Sequence, residues 1–123
     1  MNNGSKSQIP TDEEFERASR WMEEQHRGLE EARQNVLHRL RGTTPLDDLY
    51  LFVEGEKKFR GIVCLTTHDE VTKCEMNGVA RMITDCVREE LERGGRGARD
   101  EITLAMEFDS DDKYKGRFWR RLR

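Results

Sequence analysis

The sequence is poor in apolar residues and has no long hydrophobic run. Of its 123 residues, 34% are apolar and 38% are charged, whereas globular domains average roughly 45–50% and 25%. No stretch approaches the ~20 apolar residues of a membrane-spanning helix, and no secretory leader is visible. Two prolines and ten glycines exclude proline-rich and collagen-like classes. We expect one small domain over residues 11–123, after a disordered arm over residues 1–10.

Cysteine is also scarce, and its count is odd. A disulfide framework needs paired cysteines, so Cys64, Cys74 and Cys86 predict free thiols in a reducing, cytoplasmic compartment. Cys64, His68 and Cys74 are residue types that bind zinc. Their spacing lacks the paired C-x2-C form of a typical zinc site, so we favour buried structural cysteines and predict no cofactor. No nucleophile motif surrounds them, which favours a protein that is not an enzyme.

The first third of the chain has a helical pattern. Thr11 and Glu14 have the spacing of a capping box, which predicts a helix beginning there. Apolar residues then recur at every seventh position: Phe15, Met22, Leu29 and Val36. We predict one long helix, with Gly28 inside it and Gly42 near its end, that packs on a sheet rather than in a coiled coil.

Two strands, an ambiguous segment and a second helix follow. Leu49–Val53 and residues 59–66 predict a hairpin, because both runs are apolar and a glycine-containing turn separates them. Residues 67–78 fit either a short strand or a helix, since Thr67 and Glu70 again have capping-box spacing; we favour the strand slightly. Residues 79–93 have the wide apolar face of a helix.

The last third predicts two more strands. Residues 101–108 alternate between apolar and polar side chains, and residues 114–122 can return beside them. Between the second helix and these strands, the glycine-rich residues 94–100 predict an exposed, flexible connector. The prediction is an α+β fold in which two helices cover an antiparallel sheet of four or five strands, in the order α-β-β-(β)-α-β-β.

The charges are unevenly distributed. Residues 1–112 carry all 25 acids and 16 bases, for a net charge of −9, whereas residues 113–123 carry six bases and no acid. Acids flank the predicted hairpin and suggest a face that binds a basic protein. The residues we predict for this acidic face are Asp47, Asp48, Glu54 and Glu56.

The basic C-terminus predicts an alternative function. Its cations can bind phosphates, and its tryptophan can stack on an unpaired base, so the chain could bind nucleic acid. A basic edge strand that resists unwanted strand pairing, or that pairs with the acidic body, explains the same residues and is favoured. The residues of this alternative are Lys113, Lys115, Arg117, Trp119, Arg120, Arg121 and Arg123.

Residues 100–114, DEITLAMEFDSDDKY, follow the helix that ends at Arg93. This arrangement, and the order of elements, resembles small bacterial toxin-immunity proteins, in which a second helix leads to a hairpin with a Ser/Asp-rich turn. The resemblance implies a non-catalytic cytosolic inhibitor of one cognate toxin. We therefore expect a protein that binds and inhibits a protein partner, such as a toxin or defence effector. The apolar strand Leu49–Val53 needs a cover on its second face, which the first helix, a second copy in a homodimer or the protein partner would supply.

Overall fold

A computed structural model of the chain describes residues 11–110. These residues form three longer helices, one short helix and three strands. Their order is α1 (Asp12–Gln25), α2 (Leu29–Leu40), β1 (Leu46–Gly55), β2 (Lys58–Leu65), α3 (His68–Lys73), α4 (Val79–Arg93) and β3 (Thr103–Ser110). The α+β class is confirmed. No helix within this range is both long and apolar enough to span a membrane.

The sheet is mixed, and its order is β1-β2-β3. β1 and β2 form the predicted antiparallel hairpin, whereas β3 pairs with β2 in parallel, with Phe59 opposite Leu104 and Leu65 opposite Ser110. The predicted antiparallel sheet of four or five strands with two helices is therefore wrong. Residues 66–102 form a helical crossover long enough to bring the chain back in the same direction, as a parallel pair requires. The predicted strand over residues 114–122 lies outside the described residues.

The predicted long first helix is broken at Gly28. This glycine has φ +78°, a left-handed conformation that glycine adopts readily, and it separates α1 from α2. The apolar pattern with a seven-residue period continues across the break, but its two halves have different environments. Leu29 and Val36 are buried in the core, whereas Phe15 and Met22 are exposed.

Residues 67–78 contain a helix, so the slight preference for a strand was wrong. The hydroxyl of Thr67 accepts a hydrogen bond from the backbone N–H of Glu70 at 3.3 Å and caps α3. This cap satisfies one of the N–H groups that a helix start leaves unpaired. The Thr-x-x-Glu spacing was therefore the decisive local signal.

The core lies between one face of the sheet and the helices α2 and α4. Side chains of β2 alternate, and Phe59, Val63 and Leu65 belong to this core. Gly61 shares their face, and a Cβ there would lie 2.6 Å from the Sδ atom of Met106, so the glycine makes room for that side chain. On the opposite face, which we call the open face, lie Tyr50, Phe52 and Glu54 of β1, Arg60 and Ile62 of β2, and Ala105 of β3.

Candidate protein-binding surface

The predicted acid Asp48 lies in β1 and is bound to α2 through Arg33. The Nη2 atom of Arg33 donates a hydrogen bond to Oδ1 of Asp48 at 2.9 Å, and its Nε atom donates to the carbonyl oxygen of Leu49 at 2.6 Å. The hydroxyl of Tyr50 donates to Oδ2 of Asp48 at 3.0 Å. The guanidinium of Arg33 also lies 5.7 Å from the centre of the Tyr50 ring. Asp48 is thus engaged within the fold.

These contacts explain the ionisation of Asp48. Burial opposes its charged form, but hydrogen bonds from the N–H of Leu49, the hydroxyl of Tyr50 and the guanidinium of Arg33 outweigh burial and lower the pKa of the carboxyl group. Burial likewise disfavours the charged Arg33, yet its two carboxylate partners, Asp48 and Glu30, raise its pKa. The pair therefore stays charged at neutral pH.

The four predicted acids do not form one cluster. Asp47 lies beside Arg41, whose Nε atom donates to its backbone carbonyl at 3.1 Å. Glu54 is exposed on the open face, six residues from Asp48 and hence roughly 20 Å away along the strand. Glu56 lies in the hairpin turn and lines a polar cavity of about 280 Å³. Glu54 and Glu56 are exposed and near each other in the chain, whereas Asp48 belongs to the packing of α2 on β1.

The cysteines are separated rather than gathered into a metal site. All three are buried and form no disulfide; they lie on β2, after α3 and on α4. In the range 11–110, no three His, Cys, Asp or Glu residues are arranged to hold a metal ion. Burial raises the pKa of the Cys74 and Cys86 thiols, which keeps them protonated and poorly nucleophilic. The residues predicted for nucleic-acid binding, 113–123, lie outside the described part of the chain.

Helix α1 carries an apolar surface that the sequence pattern assigned to the core. Its exposed fractions are 65% for Phe15, 64% for Trp21 and 55% for Met22, and the helix contains no buried residue. Together with Ala18, these side chains occupy one side of the helix, which we call the α1 stripe. The seven-residue apolar pattern contains Phe15 and Met22 but not Trp21. Helical spacing from Ala18 would have found it.

Local contacts hold α1 in its helical form despite this exposure. The hydroxyl of Thr11 accepts from the backbone N–H of Glu14 at 3.1 Å, and the carboxylate of Glu14 accepts from the N–H of Thr11 at 3.2 Å. This is the predicted capping box. The carboxylate of Glu14 accepts hydrogen bonds from the backbone N–H and, at 3.0 Å, from the hydroxyl of Thr11, and these two bonds lower its pKa. The start of the helix is thus fixed by its own sequence, and its apolar side remains available.

The other end of α1 is anchored by Arg96, from the segment predicted to be an exposed connector. Arg96 is only 8% exposed, and its Nη1 atom donates to the carbonyl oxygens of Gln25 and Arg27, both at 2.8 Å. Its guanidinium lies 5.0 Å from the centre of the Phe59 ring. Burial, with a smaller effect of Arg27, lowers its pKa. The prediction missed Arg96 because glycines surround it in the sequence.

Comparisons with protein-family models, with curated proteins and with solved structures found no match to this chain. The candidate surface is therefore defined by its geometry alone: a capped helix, anchored at one end, with three large apolar side chains exposed.

Proposed function

We propose that this chain is a non-enzymatic interaction protein that binds a protein partner through the α1 stripe and inhibits it. The observation that carries the proposal is the exposure of Phe15, Trp21 and Met22 on a helix with no buried residue. Large apolar side chains at helical spacing are the anchors by which amphipathic helices bind hydrophobic grooves. Tryptophan in particular is enriched among the residues that dominate binding energies.

The low intrinsic stability of a helix as short as α1 supports the same proposal. Isolated helices shorter than about 12–15 residues are marginal in water, and α1 has 14 residues. Packing of its apolar side on a partner would supply the stabilisation that the described body does not provide. Binding would then order the helix further and cover the Trp21 ring.

The charges of α1 indicate what kind of groove fits. Six acids and two arginines lie within Asp12–Gln25, for a net charge of −4. A partner whose apolar groove is bordered by lysines or arginines would complement these acids and associate faster at low salt. This extends the predicted preference for a basic partner from the hairpin acids to the helix.

Inhibition is the consequence suggested by the resemblance to toxin-immunity proteins. A bound helix can block an active site or a binding site without any chemistry of its own. The cysteines fit a partner in a reducing compartment, since none of the three forms a disulfide. Binding of nucleic acid by residues 113–123 remains the alternative function.

The test is capture of partners from the native host by the tagged full chain, with and without nuclease and at two salt concentrations. One variant, Phe15→Ala with Trp21→Ala, truncates the stripe. The matched control, Glu16→Ala with Arg20→Ala, changes the opposite side of α1 and leaves its net charge unaltered. Circular dichroism checks that both variants remain folded.

We expect one stoichiometric protein that binds the wild type and the control but is lost with the stripe variant. The activity of the captured protein, measured with and without the chain, then tests inhibition. Equal capture by all three chains would contradict the role of the stripe. Recovery of nucleic acid that nuclease removes would favour the alternative function instead.

A further inference from the structure

The outer edge of β1 carries backbone groups that alternate in direction. The N–H of Thr66 donates to the carbonyl of Pro45 at 3.0 Å, so the even-numbered residues of β2 direct their hydrogen-bonding groups towards β1. In the register of the hairpin, Tyr50 lies opposite Ile62 and Phe52 opposite Arg60. The even-numbered residues of β1 therefore bond to β2, and the backbone groups of Leu49, Leu51 and Val53 point outwards.

Part of this edge is already capped by side chains. The Nε atom of Arg33 donates to the carbonyl oxygen of Leu49 at 2.6 Å, and Oδ1 of Asp48 accepts from the N–H of Leu49 at 2.8 Å. Next to it, the Nε atom of Arg41 donates to the carbonyl oxygen of Asp47. These caps satisfy the edge groups there, so a strand that paired at Leu49 would gain no hydrogen bond from them. Such blocking is a common means of preventing unwanted strand pairing.

The remaining part of the edge is not capped. Within residues 11–110, no side-chain or backbone group is hydrogen-bonded to the outward N–H and C=O groups of Leu51 or Val53. Phe52, between them, is 43% exposed on the open face. A short segment with four unpaired backbone groups and an exposed aromatic ring is a template for strand addition.

We propose that this segment, Leu51–Val53, pairs antiparallel with the same segment of a second copy of the chain. The axis of the pair passes through Phe52, and the two three-stranded sheets become one continuous sheet. Leu51 then lies opposite Val53 of the second copy, and Val53 opposite its Leu51. All four unpaired backbone groups of each chain are satisfied.

The register indicates that a second copy of the chain binds this edge. Shifting the pair in one direction places Val53 opposite Leu49, which Arg33 and Asp48 already cap. Shifting it the other way places Leu51 opposite Gly55, which pairs inwards with Lys58. An identical segment centred on Phe52 is thus matched to the open part of the edge at both ends. In this register Leu49 lies opposite Gly55 of the second copy, so the capped end of one edge faces the end of the other that bonds inwards.

Side chains on the open face also suit this register. The two Phe52 rings meet at the axis, where directly opposite residues have Cβ atoms about 4.5–5.5 Å apart and aromatic pairs are favourable. Glu54 lies opposite Tyr50 rather than opposite another acid. The contact is much smaller than the roughly 1,600 Å² of a standard interface, so we expect a weak dimer that forms as concentration rises.

The test measures the mass of the full chain and of two charged variants by analytical ultracentrifugation over a concentration series. Phe52→Lys and Phe52→Glu each place like charges at the axis and should raise the dimer dissociation constant at least about tenfold. An equimolar mixture of the two places lysine opposite glutamate and should restore the dimer. Ala105→Lys, exposed on the open face of β3, is the control and should dimerise like the wild type.

Hydrogen exchange gives a second readout that needs no variant. We expect the amides of Leu51 and Val53 to become protected as concentration rises. A wild type that stays at 14.5 kDa at all concentrations would overturn the proposal. So would a dimer that both Phe52 variants leave intact, or protection of these amides that does not depend on concentration. The stripe variant Phe15→Ala with Trp21→Ala should still dimerise, which separates this proposal from the proposed function.

Discussion

Replacing Arg96 tests whether the glycine-rich segment anchors α1 to the body. Arg96→Ala removes two hydrogen bonds from a charged donor to the carbonyls of Gln25 and Arg27, and a contact with the Phe59 ring. Hydrogen bonds involving charged groups contribute about 1.5–3 kcal/mol each, and a partly buried cation–π contact about 1 kcal/mol. Water can replace the guanidinium at the two carbonyls, because Arg27 is exposed and Gln25 partly so. We expect a net loss of roughly 2–4 kcal/mol.

The assay is urea unfolding followed by circular dichroism. A loss of this size is a large fraction of the 5–15 kcal/mol by which domains of this kind are stable. Arg99→Ala is the matched control, because it lies in the same segment but forms exposed ion pairs with Glu89 and Glu92, worth under about 1 kcal/mol. If both variants unfold at the same urea concentration, the argument for Arg96 fails.

Two further substitutions test the break between the first helices and the cap on β1. Gly28→Ala should lower the free energy of unfolding by about 1–2 kcal/mol, because φ is +78° there, and Gly28→Asn should lower it less. Equal thermal stability of the alanine variant and the wild type would refute this. Asp48→Asn should destabilise the chain near pH 7. The folded state lowers the pKa of Asp48 from 3.8. The stabilisation that charged Asp48 provides is therefore complete at pH values above the pKa of the unfolded state, and it is lost as the pH falls through the lower pKa of the folded state. Urea titrations should show that the free energies of unfolding of the wild type and Asp48→Asn differ less at pH 3 than at pH 7. An equal difference at both pH values would contradict this role of Asp48.

Local elements were largely predictable from the sequence, whereas their arrangement was not. The hairpin, α4 and β3 follow from apolar periodicity, which reports how each segment is buried. The direction of β3 depends on the path of residues 66–102, and no pattern within β3 reveals it. Helix α3 was missed because a weak run of β-forming residues after Thr67 outweighed a cap that in fact begins a helix.

The candidate site was harder to predict, for a related reason. A seven-residue apolar pattern runs through Phe15, Met22, Leu29 and Val36, but periodicity cannot tell whether an apolar side meets the core or remains exposed. The environment changes at Gly28, whose left-handed conformation separates α1 from α2. Arg96 was equally hidden, since its burial results from the fold around the end of α1.

The high charge content explains why an acid chosen from the sequence, such as Asp48, can be bonded inside the fold. Several charged side chains act inside this fold: the carboxylate of Glu90, almost fully buried, accepts from Asn35 at 3.1 Å and from Arg39 at 2.8 Å, which joins α2 to α4. Arg33 joins α2 to β1 through Asp48 in the same way. A chain with a small apolar core gains cohesion from such paired and hydrogen-bonded charges. Exposed large apolar side chains, uncommon in so polar a chain, therefore indicate where a partner binds more directly than exposed charges do.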